Sequence, residues 1–298
     1  MRRKRQIRRR IALIAVMLIL CVLAGAYIVK RAGSMAKQVK ETEEAEEIAN
    51  AEAEAEAAAE EAAKEEALKE SEHIYSYSGT STDEAYTMAA YDSAANAGAG
   101  TIVLPFVVSQ DGTLYVADDD YAQDMTGYGG YFSGMTDGQI DELNTRGGSK
   151  VLKLSDVFDK YGKSIRYVIE LKYTGERNLT ALKDIVNKYE LSDVVSVSCQ
   201  YFSGLRAMEA ELPDVPKIFI CSNEDEWGEA LGLEHVDVIA VSKDMMSAER
   251  CKEAHDRNKF ISVQTLSTGE DIKSALETGA DSYFTDEAAK AVEVENAM

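Results

Sequence analysis

Glu170 and Lys172 stand two apart in the run IRYVIELK. On a strand that spacing puts both side chains on one face, so a carboxylate and an ammonium would project together from a strand end, and the pair reads as an ion pair better than as a metal site. A carboxylate with oxygen-bearing neighbours can hold a divalent cation, and an ammonium can hold phosphate oxygens. Polar residues also close other apolar runs: Tyr77 and Ser78 in IYSYSGTSTDEAY, Asp118 and Asp119 in LYVADDD, and Gln264 in FISVQTL. Proton transfer near neutral pH is harder to assign. Of the three histidines, His73 precedes the first strand, His235 opens a later one at the wrong end, and His255 lies in a helix. Tyr is protonated and Asp ionised near neutral pH, which makes Tyr77 and Asp118 a poor acid–base pair. Asp118, Asp119 and Glu170 could still gather a cation with water, and Asp83 or Glu84 could add a ligand, although a helix-capping role suits those two as well.

These groups must be positioned by the stretch that starts near His73. Ile74–Ser78 reads as a short strand, and Thr82 or Asp83 can cap a helix running to Ala97, stopped by Gly98 and Gly100. Thr101–Val108 is apolar enough to be buried on both faces. The Gln110-Asp111-Gly112 turn leads to a hairpin strand, Leu114–Ala117. Strands follow at Arg166–Tyr173, Val194–Cys199, Lys217–Cys221, Val236–Ser242, Phe260–Leu266 and Ser282–Thr285. Amphipathic segments between them begin near Glu176, Phe202, Glu226, Met246 and Glu270. Strands alternating with helices give a parallel sheet with right-handed crossovers. Leaving out the hairpin strand, about eight remain, the number that closes a (β/α)8 barrel, with the site at the C-terminal strand ends.

The rest of the chain reads as attachment. MRRKRQIRRR, residues 1–10, is a basic tip, and residues 11–29, IALIAVMLILCVLAGAYIV, form an uncharged run long enough to cross a bilayer as one helix. Positive charge before the run places the tip in the cytoplasm and the remainder outside. A cleaved signal peptide is the rival, with an apolar region that is normally shorter, roughly 7–15 residues. Residues 30–72 are rich in Ala, Glu and Lys and should be a helical linker. The segment lacks a clean heptad row of large apolar residues, which argues against a stable coiled coil. The 298-residue chain has a formal net charge of −21, much of it in one segment, which argues against nucleic acid as a partner. Its cysteines, Cys21, Cys199, Cys221 and Cys251, show no metal spacing. Cys199 and Cys221 lie on successive strands, which leaves a bridge open, but buried free thiols fit better. Trp227 opens a helix and reads as packing.

The order of these elements resembles a glycerophosphodiester phosphodiesterase domain, over residues 73–298, with an insertion at about 120–150. In that family the first strand ends in His-Arg-Gly and the second carries Glu-x-Asp. A Lys-Asp-Gly turn leads to His-Asp, and a later strand carries Glu-x-Lys. Here MTGYGGYFSGMTDGQIDEL is similar to the family's insertion, VLKLSDVFDKY to the helix after it, and GADSYFTDEAAKA to its last strand. The resemblance implies a barrel whose carboxylates hold calcium or magnesium on a phosphate, with two histidines moving protons. Carried across residue by residue, Tyr77 and Ser78 stand at the His and Arg, and Gly79 is kept. Val103 and Pro105 replace two of the three metal carboxylates, Asp118 stands at the second His, and Asp119 stands at the Asp beside it. Glu170 and Lys172 are kept, Gln264 sits near the place of a Trp, and Thr285 and Asp286 are kept.

Two functions follow from the resemblance. One is a membrane-tethered, extracytoplasmic barrel without catalysis or cofactor, binding an envelope ligand or a protein partner through Glu170, Lys172, Asp118, Asp119, Tyr77 or Gln264, or through Tyr121, Tyr128, Tyr131 and Phe132 of the insertion. The other is a divergent phosphoric diester hydrolase acting on glycerophosphodiesters or teichoic-acid-like polymers, with Glu170 on a divalent cation.

Overall fold

The computed structural model describes residues 71–298, all within one compact unit, 68–298. The basic tip, the apolar run at 11–29 and nearly all of the Ala/Glu/Lys segment lie outside the described residues. Among the described residues, no helix is long and apolar enough to cross a membrane.

Eight parallel strands close into a barrel. They are β1 (Ile74–Ser76), β2 (Thr101–Val108), β4 (Arg166–Glu170), β5 (Val195–Cys199), β6 (Lys217–Cys221), β7 (Val238–Val241), β8 (Phe260–Val263) and β9 (Ser282–Thr285). β1 pairs with both β9 and β2, which closes the ring. The extra strand β3 (Leu114–Val116) lies antiparallel on the far end of β2, as the Asp111-Gly112 turn predicts. β2 pairs with β1 at Thr101 and Ile102 and with β3 from Phe106 onward. Pro105 falls at this change of neighbour, where a residue without an N–H is tolerated.

The crossover helices have signals legible in the chain. α1 (Met88–Ala97) ends at Gly98, α5 (Glu176–Lys188) and α6 (Phe202–Glu211) begin where the sequence places them, and α9 (Gly269–Thr278) is capped by Thr268. Between α1 and α5 lie α2 (Gln123–Thr126), α3 (Asp137–Asp141) and α4 (Leu154–Tyr161). α7 (Glu224–Gly232), α8 (Ala248–His255) and α10 (Ala288–Ala297) complete the set.

The start of α1 departs from the sequence reading. Its cap is Thr87, whose side chain accepts from the Ala90 N–H, and not Thr82 or Asp83. Tyr86 just before it has φ 62°, a left-handed conformation that no helix can run through. Asp83 instead accepts from the Thr80 N–H at 2.8 Å and closes a turn. Several strands are also shorter than the apolar runs. β4 stops at Glu170, so Lys172 lies beyond it, although the Leu171 N–H still reaches the Ser198 carbonyl at 2.8 Å.

Three apolar layers hold the unit together. The largest lies between the barrel and its helices. A second, formed by Val107, Tyr115, Ala122, Phe132, Met135 and Ile140 among others, lies under the insertion. The barrel interior is filled by Val103, Val168, Ile218, Val238, Ala240 and Phe284, with Tyr75 and Tyr77 packed on them. Barrel interiors usually carry branched aliphatic residues. Here β1 and β9 contribute aromatic rings, with Tyr75 and Phe284 edge-on at 5.0 Å, and small buried residues make room for them, Ser198, Ala240 and Ser262 on other strands and Ser282 on β9 itself.

Candidate functional site

The C-terminal ends of the strands bring Tyr77, Asp118, Glu170 and Lys172 together, as their places at run ends imply. Glu170 is paired in register with Pro105 on one side and Ser198 on the other, so its carboxylate stands in the mouth of the barrel. The Tyr77 hydroxyl donates to Glu170 Oε1 at 3.1 Å. Lys172 makes its ion pair with Asp118. This corrects the expectation that neighbouring Glu170 and Lys172 pair with each other. Asp118 follows β3, and that hairpin brings it over the mouth within reach of the longer lysine. Tyr86 lies beside Asp118 as well, and its hydroxyl is held protonated by burial first and then by the charges of Asp118 and Glu170.

Burial pushes the Glu170 carboxyl above its ordinary value of 4.5, outweighing the opposite pull of Lys172 and of the Tyr77 hydroxyl. Tyr77 is raised by burial and then by Glu170, so it remains a donor. The folded state therefore keeps the Glu170 proton to higher pH than the unfolded chain does. Stability falls as pH rises through the interval above 4.5. Glu170→Gln keeps an oxygen for Tyr77 and removes this titration. In thermal melts the difference between variant and parent should grow in the variant's favour from pH 4 to pH 7; a difference independent of pH would contradict the assignment.

The other candidates have local duties. Ser78 is buried, with its hydroxyl within reach of the Thr80 and Asp286 carbonyls at 2.9 and 3.1 Å, and so ties the loop after β1 to the end of β9. Asp119 accepts from the Tyr121 N–H at 2.8 Å. The Gln264 amide donates to the Ala240 carbonyl at 3.2 Å. Thr285 donates to the Leu266 carbonyl at 2.6 Å. Glu84 accepts from the Gly147 N–H at 2.5 Å and from Ser149 at 2.9 Å, bracketing the insertion to the loop after β1. Trp227 is buried, donates to Glu253 at 3.0 Å and carries Arg250 over its ring.

The histidines stay away from the mouth. His73 meets Glu295 at 2.8 Å and His255 meets Asp281 at 2.8 Å, while His235 precedes β7 at the opposite end of the barrel. Cys199, Cys221 and Cys251 are free and buried. Burial raises the Cys199 and Cys221 thiols to about 11, which leaves them unreactive. In the insertion, Phe132 is core, whereas Tyr121, Tyr128 and Tyr131 are exposed, with the Tyr121 and Tyr131 rings 5.1 Å apart.

Sequence reasoning missed a cavity of about 240 Å³ in the mouth between β4 and β5, lined by Glu170, Lys172, Ser198, Gln200 and Ile220 among others. Ser198 could have been found by its place opposite Glu170, but only once the register was known.

Residues 75–290 match the glycerophosphoryl diester phosphodiesterase family. The chain belongs to that family. No curated protein matches it in sequence. Among solved structures, a glycerophosphodiester phosphodiesterase from Agrobacterium tumefaciens superposes with a TM-score of 0.67 at 18% identity, covering 75% of this chain and 98% of its own. An Oleispira antarctica phosphodiesterase in complex with the product sn-glycerol-3-phosphate gives 0.69 at 16%, with 77% and 99% covered. The Thermotoga maritima glycerophosphodiester phosphodiesterase gives 0.63 at 18%, with 74% and 97% covered. At such identities the likeness is one of fold.

The divalent cation that the family implies can be tested against the residues present. Val103 is fully buried among apolar side chains. Pro105, opposite Glu170 in register, has no side-chain oxygen. Glu170 receives Tyr77, and Asp118 receives Lys172. Among the described residues, no group of three or more His, Cys, Asp or Glu side chains is placed to hold a metal ion. Hard cations need about six to eight oxygen ligands, or several waters plus carboxylates. The residues of this mouth do not fit one.

Proposed function

We propose that this family member is a membrane-anchored, extracytoplasmic barrel that binds a ligand or protein partner of the cell envelope and does not hydrolyse phosphodiesters. The observation that carries the reading is the pairing of Pro105 with Glu170 and of Val103 with Val168 in register. Side chains without oxygen donors thus stand where the resemblance places two of the family's metal carboxylates, beside the retained Glu170. Four other polar groups of the mouth pair among themselves, Tyr77 on Glu170 and Lys172 on Asp118. Metal-assisted cleavage of a phosphodiester needs charge stabilisation on its oxygens and a proton donor for the leaving group, and Val103, Pro105, Tyr77 and Asp118 stand where the family carries carboxylates and histidines for those tasks.

Calcium or magnesium titrated into the full-length protein, followed by calorimetry, tests the reading. No saturable heat is expected, and a saturable site lost in Glu170→Gln would sink it. Attachment rests on the basic tip and the apolar run at 11–29. Protease added to intact protoplasts should digest the barrel, and protection of the barrel would place it on the cytoplasmic side.

The second reading, a divergent hydrolase of glycerophosphodiesters or teichoic-acid-like polymers, is favoured by one observation. Glu170 and Lys172, the retained pair, both line the mouth cavity, and burial moves the Glu170 carboxyl in the direction a general acid needs. Under the first reading Tyr77→His, Ser78→Arg, Val103→Glu, Pro105→Asp and Asp118→His would all be needed together to build a working site.

A further inference from the structure

The insertion shows aromatic rings to solvent on a backbone that is tied down. Tyr121, Tyr128 and Tyr131 are 42%, 47% and 60% exposed. Tyr121 and Tyr131 face each other across an antiparallel bridge, and their rings lie 5.1 Å apart. The Tyr128 ring rests on Gly130, where an added Cβ would come within 2.4 Å of it, and the Tyr121 hydroxyl lies 3.7 Å from where a Cβ on Gly129 would be. Beneath them Ala122 and Phe132 are fully buried. Asp120 accepts from the Ser133 N–H at 2.7 Å, and the Arg146 guanidinium donates to the Gln123 and Asp124 carbonyls at 2.8 and 2.7 Å. Exposed apolar surface gathered in one place marks a contact surface, and tyrosine rings supply contact area at little cost in side-chain freedom.

Charge says what the rings would meet. Residues 118–142 hold seven carboxylates, six Asp and one Glu, and no Lys or Arg. Asp124, beside the rings in sequence, is exposed. Elsewhere the chain lays its own cations over its rings, with Lys153 on Tyr115, Lys160 on Tyr161, Lys188 on Tyr189 and Arg250 on Trp227, between 5.0 and 5.5 Å from the ring centres. No cation of the described residues covers Tyr121, Tyr128 or Tyr131 in this way. A ring face attracts a cation, and the surrounding carboxylates add to that attraction. A second copy would bring the same negative face, and an anionic bilayer would repel it. The chain's own basic tip, residues 1–10, falls on the other side of the membrane in the reading above.

We propose that the insertion is the docking face for an arginine-bearing segment of a partner protein, with guanidinium groups over Tyr121, Tyr128 and Tyr131 and their charge met by Asp124 and its neighbours. The inference rests on the binding reading above, of which it names the partner class. Arginine suits the face better than lysine, because a guanidinium is planar, weakly hydrated and stacks on aromatic rings.

The test uses the full-length protein in phosphatidylcholine nanodiscs, which keep the basic tip and the barrel on opposite faces, with empty nanodiscs as the blank. The probes are decapeptides alternating Gly with Arg, with Lys or with Glu, and chitotetraose as a neutral one. Calorimetry reads the binding. The arginine peptide should bind saturably and about two- to fivefold tighter than the lysine peptide, and the glutamate peptide should not bind. Tyr128→Ala and Tyr131→Ala should each weaken the arginine peptide about two- to fivefold with the melting temperature unchanged, and Asp124→Asn should weaken it and flatten its salt dependence. Phe260→Ala, which removes a ring 58% exposed at the opposite end of the barrel, should change nothing. Absence of saturable binding by the arginine peptide overturns the proposal. Equal affinity for the arginine and lysine peptides, or binding indifferent to both tyrosine changes, also overturns it, because charge alone, such as the glutamates at 43–70, would then suffice. A chitotetraose isotherm lost in Tyr131→Ala would assign the face to a sugar and overturn it as well. All of these results leave the non-catalytic reading standing, since that reading fails on turnover of a glycerophosphodiester, assayed on the same samples.

Discussion

Gly79→Ala is expected to destabilise the barrel by about 3 kcal/mol, the upper end for forcing one extra carbon into a packed interior. A Cβ at this position would sit 2.0 Å from the Ser93 hydroxyl oxygen and 2.6 Å from the Ser93 backbone carbonyl carbon. The hydroxyl could swing away, but the backbone of α1 could not follow without leaving β2, against which it packs. At about 2–4 °C per kcal/mol for a unit of this size, melting should fall by about 6–12 °C. Gly228, inside α7 with nothing near its Cβ position, is the internal control. Gly228→Ala should be neutral or stabilise by about 0.5–1 kcal/mol. Gly79 is thus kept from the family's His-Arg-Gly for packing, in a chain that has replaced the two residues before it. A melt of Gly79→Ala unchanged from the parent would break this argument.

Lys217→Ala should cost about as much, about 3 kcal/mol, through a different cause. Lys217 opens β6 at the end of the barrel opposite the mouth and is 1% exposed. Its ammonium donates to the Leu212 carbonyl at 2.9 Å and the Pro213 carbonyl at 3.0 Å, and meets Glu209 at 2.5 Å. Leu212 is the C-terminal cap of α6, so the lysine serves carbonyls that a helix end leaves without partners. Lys259 repeats the device at the end of α7, donating to Leu233 and Val236 at 2.6 Å each. Truncation leaves buried carbonyls unpaired and a space where the stem lay. The same melt reads the loss, and a change below about 1 kcal/mol, the worth of one ordinary hydrogen bond, would mean that water takes the ammonium's place.

The strand order was legible because parallel barrel strands are apolar on both faces and are separated by amphipathic helices. Lys217–Cys221 and Ser282–Thr285 end where the sequence places them. The start of α1 was not legible, because Tyr86 takes a left-handed backbone that nothing in its type announces. The residues at the mouth could be named from run ends and from the family motifs, but their partners could not. Lys172 reaches Asp118 across the β3 hairpin, a contact 54 positions apart in sequence. The cavity between β4 and β5 depends on cross-strand register, which single-chain patterns do not carry. The partners of Lys217 and Lys259 are carbonyls at helix ends, which no pattern around either lysine announces.

A barrel that binds without cleaving, the role proposed for this chain, leaves a glycerophosphodiester intact. The most direct measurement is release of glycerol phosphate from a glycerophosphodiester by the full-length protein, with calcium or magnesium present. No release above the rate without protein is expected, in the parent and in Glu170→Gln alike. Turnover by the parent that Glu170→Gln abolishes would contradict that role and make Glu170 the centre of a reorganised catalytic site.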